Sequence, residues 1–303
     1  MSHWRNKMRK SVGVIGLGAM GQGVARNLIQ AGFEVYGCDV REESVAAFVA
    51  SGGKACVTPA ALGAQCEVVV VLVVNAEQTD KVLFGDAGAA QKLRPGSVVV
   101  AAATAAPAYA IALGKRLAEL GVGLIDSPVS GGVIGAANGT LSLLTSGPDT
   151  AYEACSDVLE AISSKVYRLG AAHGLGSKVK LINQLLVGVQ CAAAAEAMAL
   201  GLREGVDPDQ LYEVITHSAG NSWAFTDRVP HILQGQYTPA QTALDIFVKD
   251  LGLVLEAARA SKFPLPLAST AYQMFATASA AGFGQEDDTA VIKTFPGITL
   301  PGA

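Results

Sequence analysis

The first half of the chain alternates short apolar runs with longer amphipathic stretches. The apolar runs predict strands at 12–15, 34–38, 67–74, 97–101, 123–126, 141–145 and 166–169. Helices are predicted at 20–30 and 107–120. Because the valine-rich run at 67–74 has no polar alternation, it is typical of a strand buried on both faces of a parallel sheet. The alternation of strand and helix favours a doubly wound, mostly parallel α/β sheet.

The pattern changes close to Gly170, after which strand signals almost disappear. Stretches rich in Ala, Leu and Met predict helices at 176–203, 208–217, 244–260 and 267–281. We therefore expect an α/β domain over residues 1–170 and an all-α domain over residues 171–303. The length of 303 residues is consistent with two domains.

The composition is apolar and slightly acidic. Half of the residues are hydrophobic, 16% are charged, and the formal net charge is −4. Because nucleic-acid-binding proteins carry a basic surplus or stripe, we expect no nucleic-acid partner. Basic residues cluster only in the first ten positions, which are interpreted as a frayed extension. The low charge content favours a homo-oligomer that buries apolar surface between subunits.

Membrane spans, disulfides and metal sites are all disfavoured by the sequence. No stretch reaches the roughly 18 uninterrupted apolar residues of a membrane helix, and the nearest, 181–202, contains Glu196 and three amides. The five cysteines show no CxxC spacing, which predicts free thiols in a reducing cytoplasm. The four histidines form no HxxxH pair, so we expect no metal site.

A glycine-rich motif, GLGAMG, follows the first predicted strand and opens the first predicted helix. In a dinucleotide site Gly16 permits the tight turn, Gly18 lets a pyrophosphate approach the backbone, and Gly21 lets the helix pack on the strand. The N–H groups of Ala19 and Met20 at the helix N-terminus would face the phosphates. The motif therefore predicts a Rossmann domain, with a ligand-free structural turn as the alternative.

An acidic residue, Asp39, ends the second predicted strand about 20 residues after the motif. A carboxylate in this position accepts hydrogen bonds from the adenosine ribose and repels the 2′-phosphate of NADP. Arg41 lies two residues further on and could instead attract that phosphate. The sequence thus predicts NAD as the cofactor, with NADP as the less favoured choice.

Three further segments carry candidate chemistry. The glycine-rich segment 126–140 follows a predicted strand and could form a carboxylate cradle, or an ordinary connection. Lys180 and Asn183 share one face of a mostly apolar helix, where a lysine is either functional or reaches the solvent at the helix end. The neighbouring pair Lys249 and Asp250 is either a solvated ion pair or part of the site.

Four segments, in this order along the chain, resemble the β-hydroxyacid dehydrogenase family: GLGAMG, SPVSGGVIGAANGTL, GLGSKVKLINQ and VKDLGL. The resemblance implies that Lys180 is the catalytic lysine and that Asn183 holds the substrate. The positions implied to bind the substrate carboxylate are Ser130, Gly131 and Gly132. The positions implied to lie near the nicotinamide are Val74, Asn75 and Thr104, and Lys249 is implied to close over the cofactor. The Val-Val-Asn sequence at 73–75 departs from the Leu-Pro of many relatives.

The resemblance also implies a reaction, the oxidation of a small hydroxy acid with Lys180 as general base. The C-terminal segments THSAGNSWAF, FPLPLAST and EDDTAVIK resemble the branch of the family that acts on L-threonate, which implies oxidation at C2. Oxidation of 3-hydroxyisobutyrate, reduction of tartronate semialdehyde and a non-catalytic NAD-binding module stay open as alternatives. Imine reduction is disfavoured because such relatives usually replace the lysine. Family habit implies a homodimer or homotetramer.

Overall fold

The structure, a computed structural model, describes residues 10–302. It divides into two compact units, the first ending at Lys180 and the second beginning at Leu181. The boundary predicted at residue 170 precedes this division and stays a prediction. Most of the predicted frayed extension, residues 1–9, lies outside the described residues. The prediction was wrong for Lys10, whose amine lies 2.7 Å from the Asp157 carboxylate.

A six-stranded sheet forms the centre of the first unit. Its strands are β1 (Ser11–Ile15), β2 (Glu34–Cys38), β3 (Lys54–Ala55), β4 (Val68–Val71), β5 (Val98–Ala101) and β6 (Gly123–Asp126). The strands lie in the order β3-β2-β1-β4-β5-β6 and each neighbouring pair is parallel. This order confirms the predicted Rossmann sheet. The order reverses between β1 and β4, and in open α/β sheets the crevice outside the carboxyl ends of such strands is where ligands bind.

Helices connect the strands of the first unit. They are α1 (Ala19–Gln30), α2 (Glu42–Ala50), α3 (Pro59–Gly63), α4 (Ala76–Phe84), α5 (Pro107–Ala118), α6 (Gly132–Asn138) and α7 (Asp149–Ala161), with a 3₁₀ turn at Ala90–Lys92. The predictions for α1 and α5 are confirmed, and the other helices were not predicted. Thr58 caps α3 and Asn75 caps α4, each accepting a hydrogen bond from a first-turn N–H.

The central strand β4 is shorter than the predicted strand at 67–74. Its four valines are buried on both faces of the sheet, as the continuous apolar run predicted. The strand ends at Val71 because the chain then turns. The Leu72 N–H donates to the Ile15 carbonyl, and Asn75 caps α4.

A second, three-stranded sheet follows β6. Its strands are β7 (Val129–Ser130), β8 (Leu141–Thr145) and β9 (Ser163–Arg168). β7 is antiparallel to β8, and β8 is parallel to β9. The helix after β7 packs closely on α1, since a Cβ on Gly23 would lie 2.6 Å from the Ala136 carbonyl carbon. The Asn27 amide strengthens this contact by donating to the Ala136 oxygen at 2.8 Å.

The second unit is helical, as predicted. Its helices are α8 (Leu175–Arg203, which begins in the first unit), α9 (Pro208–Thr216), α10 (Trp223–Gln234), α11 (Leu244–Ala260) and α12 (Pro266–Ala278). A π turn at Ser279–Phe283 and a 3₁₀ helix at Asp288–Thr294 complete it. Its core contains the stacked rings of Phe247 and Phe275, 5.1 Å apart. This core packs the buried faces of α8, α10, α11 and α12 together.

The long helix α8 meets the length and hydropathy criteria of a membrane span. In its most apolar window, 44% of the residues are buried inside the protein. A core helix of a globular domain satisfies the same criteria, so this is weak evidence for a membrane. The predicted absence of a membrane span stays a prediction.

Candidate functional site

The backbone of the turn after β1 leaves no room for a side chain at two positions, Gly16 and Gly21. Gly16 has a φ of +94°, and a Cβ there would lie 2.5 Å from the Leu72 carbonyl oxygen. A Cβ on Gly21 would lie 1.9 Å from the Gly16 oxygen. Any side chain would therefore push the turn, the strand and α1 apart. These two glycines fix the shape of the turn.

The middle glycine of the motif, Gly18, has a different role. Its φ of −65° suits any residue, and a Cβ there would meet only the Arg41 guanidinium, at 3.2 Å. Packing of the protein alone therefore does not require glycine at this position. Within residues 10–302, no side chain caps the first turn of α1. The space above Gly18 and the helix N-terminus together fit the pyrophosphate of NAD.

The Asp39 carboxylate stands beside this turn. Its Oδ2 accepts a 2.6 Å hydrogen bond from the Leu17 N–H, and its Oδ1 accepts from the Arg41 N–H at 2.9 Å. The Arg41 Nε lies 3.3 Å from Oδ1. Partial burial raises the pKa of Asp39, but these hydrogen bonds outweigh it and hold the pKa below the ordinary 3.8. A charged acceptor thus ends β2, where an adenosine ribose would lie.

The carboxyl ends of β4 and β5 contribute the predicted nicotinamide-side residues. The Asn75 Oδ1 accepts from the Gln78 N–H at 2.8 Å, and the Gln78 side chain accepts from the Val74 N–H at 3.0 Å. Val74 is 47% exposed, and Thr104 is partly buried three residues after β5. Because β1, β4 and β5 are parallel neighbours, these residues share the sheet edge with the glycine turn.

The predicted carboxylate cradle lies where β7 runs into α6. Gly131 and Gly132 both have positive φ, +118° and +58°, in a region that L side chains rarely adopt. Both are exposed, and among the described residues no atom lies within 4 Å of a Cβ built on Gly132. Ser130 precedes them and is partly buried. The loop therefore presents open backbone and one hydroxyl.

The two lysines at the start of α8 differ in burial. Lys180 is 8% exposed, whereas Lys178 is exposed. A lysine at the surface end of a helix would reach the solvent, so the burial of Lys180 favours a functional role over that alternative. Leu181, which follows it, is also buried.

The buried Asp126 at the end of β6 was not predicted as a functional residue. Its Oδ2 accepts from the N–H groups of Gly174 and Ser177, each at 3.0 Å. Its Oδ1 accepts from the Ser177 hydroxyl at 2.7 Å. The carboxylate thus binds the start of α8, three residues before Lys180. An aspartate at the carboxyl end of a predicted strand was the available signal, but its partners are about 50 residues away in the chain.

A hydrogen-bonded chain in the second unit connects the predicted residues Asn183 and Lys249 through Gln184 and Asp250. The Asn183 amide donates to the Gln184 Oε1 at 3.0 Å, and the Gln184 amide donates to the Asp250 Oδ2 at 2.6 Å. The Lys249 amine donates to the Asp250 Oδ1 at 2.5 Å. Asp250 is only 1% exposed, so the alternative of a solvated Lys249–Asp250 pair was wrong. The chain fixes the orientation of the Asn183 amide.

Metal and thiol chemistry have little support in the described part of the chain. No group of three or more His, Cys, Asp or Glu side chains there could hold a metal ion. The cysteines are free thiols. Burial raises the pKa of Cys38 to about 11 and that of Cys66 to about 12. Such thiols stay protonated near neutral pH and are poor nucleophiles.

Two family models together match most of the chain. The model of the NAD binding domain of 6-phosphogluconate dehydrogenase matches residues 11–170. The model of the NAD-binding domain of NADP-dependent 3-hydroxyisobutyrate dehydrogenase matches residues 174–295. The first match covers the glycine turn and the second covers Lys180.

Individual relatives match over nearly their whole length. The chain is 64% identical to the L-threonate dehydrogenase of Cupriavidus necator, across 97% of this chain and 99% of that protein. It is 51% identical to the L-threonate dehydrogenase of Escherichia coli strain K12, across 96% and 97%. A crystal structure of 3-hydroxyisobutyrate dehydrogenase from Salmonella typhimurium has a TM-score of 0.90 at 46% identity, covering 94% of this chain and 100% of that chain.

The Rossmann sheet, the glycine turn with Asp39 and the helical second unit define an NAD-dependent hydroxy-acid dehydrogenase, and the chain belongs to the β-hydroxyacid dehydrogenase family. The predicted family and the predicted cofactor are confirmed. Within that family the chain is similar to the L-threonate dehydrogenases of several bacteria, at 47–64% identity.

Proposed function

We propose that this protein oxidises L-threonate at C2, giving the 2-oxo acid 2-dehydro-L-erythronate. The observation that carries the proposal is the 64% identity to an L-threonate dehydrogenase across 97% of the chain. The site supports it, because a dinucleotide turn and a buried lysine are the two parts that oxidation of a secondary alcohol needs.

The reaction moves one hydride and one proton. NAD⁺, when bound, would supply the acceptor for the hydride that leaves C2 of the substrate. The Lys180 amine, in its neutral form, accepts the proton of the C2 hydroxyl, and it returns this proton in the reverse direction. Burial disfavours an ammonium ion, so a lysine that is 8% exposed suits the role of general base.

The remaining polar groups orient the substrate. In this assignment the Asn183 amide, held by Gln184, binds the substrate hydroxyl that reacts. We assign the open loop of Ser130, Gly131 and Gly132 to the substrate carboxylate. Fixing the carboxylate at one end and the hydroxyl at the other decides which carbon faces the nicotinamide.

We assign the nicotinamide half of the cofactor to residues at the carboxyl ends of β4 and β5. There we assign Val74, Asn75 and Thr104 to the ring and its ribose. Lys249 is assigned to bind the cofactor, with its amine positioned by the buried Asp250. Ala19 and Met20 present the N–H groups of the first turn of α1 to the pyrophosphate.

The assembly we propose is a homodimer or homotetramer in the cytoplasm. Support comes from an apolar stripe on α8, defined here as Ile182, Leu186, Ala193 and Leu200, all of which are exposed. Three of these residues follow at intervals of seven, the spacing of helix–helix seams. A second copy of the chain is the occupant that family habit favours. The free cysteines suit a reducing compartment.

A substrate panel tests the proposal. The purified protein is assayed for NADH formation with L-threonate, D-threonate, both erythronates, glycerate and 3-hydroxyisobutyrate. Because a site that hydrogen-bonds substrate hydroxyls rejects analogues lacking them, we expect kcat/KM for L-threonate to exceed the others by about tenfold or more. A larger kcat/KM for 3-hydroxyisobutyrate or glycerate would contradict L-threonate as the substrate. Turnover of none of the acids, with NADH binding intact, would favour a non-catalytic module.

A further inference from the structure

The start of α8 is attached to the sheet by side chains from distant parts of the first unit. An isolated helix leaves its first N–H groups without partners, and a residue just before the helix usually satisfies them. Here Asp126, from β6, accepts from the N–H groups of Gly174 and Ser177. The Ser146 hydroxyl accepts from the Gly176 N–H at 3.1 Å.

The attachment is tight because Gly176 has no side chain. A Cβ there would lie 2.3 Å from the Leu144 carbonyl oxygen and 2.8 Å from the Asp126 carbonyl oxygen. The Ser146 hydroxyl also donates to the Asp126 Oδ2 at 3.1 Å. Among the described residues, the Asp126 carboxylate therefore accepts from two hydroxyls and two backbone N–H groups. All four donors are uncharged.

Holding the start of a helix with a buried carboxylate carries a desolvation cost. Asp126 is 2% exposed, and burying a charge is costly unless it is fully hydrogen-bonded. Its negative charge interacts favourably with the positive end of the helix dipole. Because Asp126 is almost completely buried and its carboxylate accepts from the start of α8, it acts through the helix.

We propose that Asp126 is a positioning residue for the dehydrogenase reaction, which fixes the start of α8 and with it the Lys180 amine. This inference rests on the proposed role of Lys180. Ser177 and Lys180 are three residues apart, so they lie on one helix face, about 4.5 Å apart along the axis. A shift of the helix start is therefore passed directly to Lys180. A displacement of 1 Å at a reacting group is enough to cost about 100-fold in rate.

Asp126→Asn and Ser177→Ala test this role. The asparagine has the same shape and one remaining carbonyl acceptor, and the alanine removes only the 2.7 Å hydrogen bond to Oδ1. We measure kcat and KM for L-threonate, the Kd for NADH and the melting temperature. We expect Asp126→Asn to lower kcat about tenfold or more and Ser177→Ala to lower it about threefold, with KM and the NADH Kd changed less than about threefold.

A matched control separates positioning from stability. Asp287, in the second unit, is likewise buried, at 1% exposed, and it also accepts from a backbone N–H and a hydroxyl, those of Thr289. Asp287→Asn is expected to lower the melting temperature and leave kcat unchanged.

The proposal is overturned if Asp126→Asn keeps kcat within about twofold of the native value, whatever its melting temperature. If that variant does not fold, an unchanged kcat in Ser177→Ala overturns it instead. A Lys180→Ala variant that keeps turnover refutes the proposed function. Loss of turnover in Lys180→Ala together with native kcat in the Asp126 and Ser177 variants refutes this inference alone.

Discussion

The Asp39 carboxylate accepts hydrogen bonds from both the glycine turn and Arg41. One of its oxygens therefore shapes the turn through the Leu17 N–H, and its charge would meet the adenosine ribose of a bound NAD. Arg41 is bound to the same carboxylate and its side chain is 52% exposed. The guanidinium would thus lie near the 2′-phosphate of a bound NADP, but the neighbouring negative charge of Asp39 would oppose the binding of that phosphate.

Cofactor choice is predicted to depend on the Asp39 charge. Asp39→Asn keeps an acceptor for the Leu17 N–H but no longer repels a 2′-phosphate. We expect kcat/KM with NAD⁺ to fall about tenfold, because hydrogen bonds to a charged group contribute about 1.5–3 kcal/mol. Activity with NADP⁺ should rise, because Arg41 is then available to the phosphate.

The measurement is steady-state kinetics with both cofactors. Arg41→Ala serves as the control and should remove the gain with NADP⁺ when combined with Asp39→Asn. An unchanged ratio of NAD⁺ to NADP⁺ activity in Asp39→Asn would show that the carboxylate does not select the cofactor.

Among the elements, α8 contributes most to the site. It carries Lys180, Asn183 and Gln184 within its first three turns, and the apolar stripe follows on the same helix. Its buried face packs Met198 into the second core together with four alanines, Ala192, Ala194, Ala195 and Ala199. The helix therefore combines the proposed catalytic and substrate-binding side chains, core packing and an exposed apolar surface.

The apolar stripe is predicted to hold the oligomer together. Leu186→Glu with Leu200→Glu places two charges on the stripe, and we expect light scattering to give the mass of a monomer. Val214→Glu is the control, since Val214 is 62% exposed on α9 and lies outside the stripe. An oligomer that survives the double substitution would assign its interface to another surface.

Local sequence predicted those elements whose signals are local. The bounds of β2, β6, β8 and α11 agree with the sequence prediction, because each is a continuous apolar or amphipathic run. α10 was missed because it contains Pro230, a residue that normally ends a helix. α3 has only five residues, too few for a periodic pattern. The run at 67–74 was predicted too long, since its pairing partners end at Ile15 and Ala101.

The difference between local signals and long-range contacts also applies to the candidate site. The glycine turn and Asp39 were predictable because their spacing along the chain has a direct geometric meaning. The contacts of Asp126 with Ser177 and of Gln184 with Asp250 span 51 and 66 residues. Contacts at such separations depend on tertiary packing, which no local pattern encodes. The roles of Lys180 and Asn183 came from family resemblance, and they stay predictions.

At the scale of the whole molecule, stability depends on a buried ionic cluster in the second unit. The Arg228 Nε lies 3.2 Å from the Asp288 carboxylate, although not in hydrogen-bonding geometry. Burial raises the pKa of Asp288 to about 7. The hydrogen bond to Asp287 raises the pKa of His231 above 6.5. Burial opposes ionisation of Asp287, but hydrogen bonds from His231 and Thr289 lower its pKa to about 2.

These shifts predict a stability that falls on both sides of a mildly acidic optimum. The contribution of Asp288 is present below its unfolded pKa and is lost as the pH rises through about 7. The contribution of His231 to stability is likewise lost as the pH rises. The contribution of Asp287 is present above pH 3.8 and is lost as the pH falls towards about 2. The melting temperature should therefore decline from about pH 5 to about pH 8.

Calorimetry of Asp288→Asn checks this prediction. The amide cannot ionise, so the decline between about pH 5 and pH 8 should be much smaller in the variant. The acid-side decline, which belongs to Asp287, should remain. Equal slopes in the native protein and the variant would place the titrating group elsewhere.

The central claim is that Lys180 is the proton acceptor in an NAD-dependent oxidation, and paired lysine variants test it most directly. Lys178→Ala is the matched control, because Lys178 lies two residues away on α8 but is exposed. General acid–base catalysis contributes about 100- to 10,000-fold. We therefore predict that Lys180→Ala loses at least about 100-fold in kcat for L-threonate while the NADH Kd and the kcat of Lys178→Ala stay close to native. Turnover in Lys180→Ala equal to that in Lys178→Ala would contradict the account.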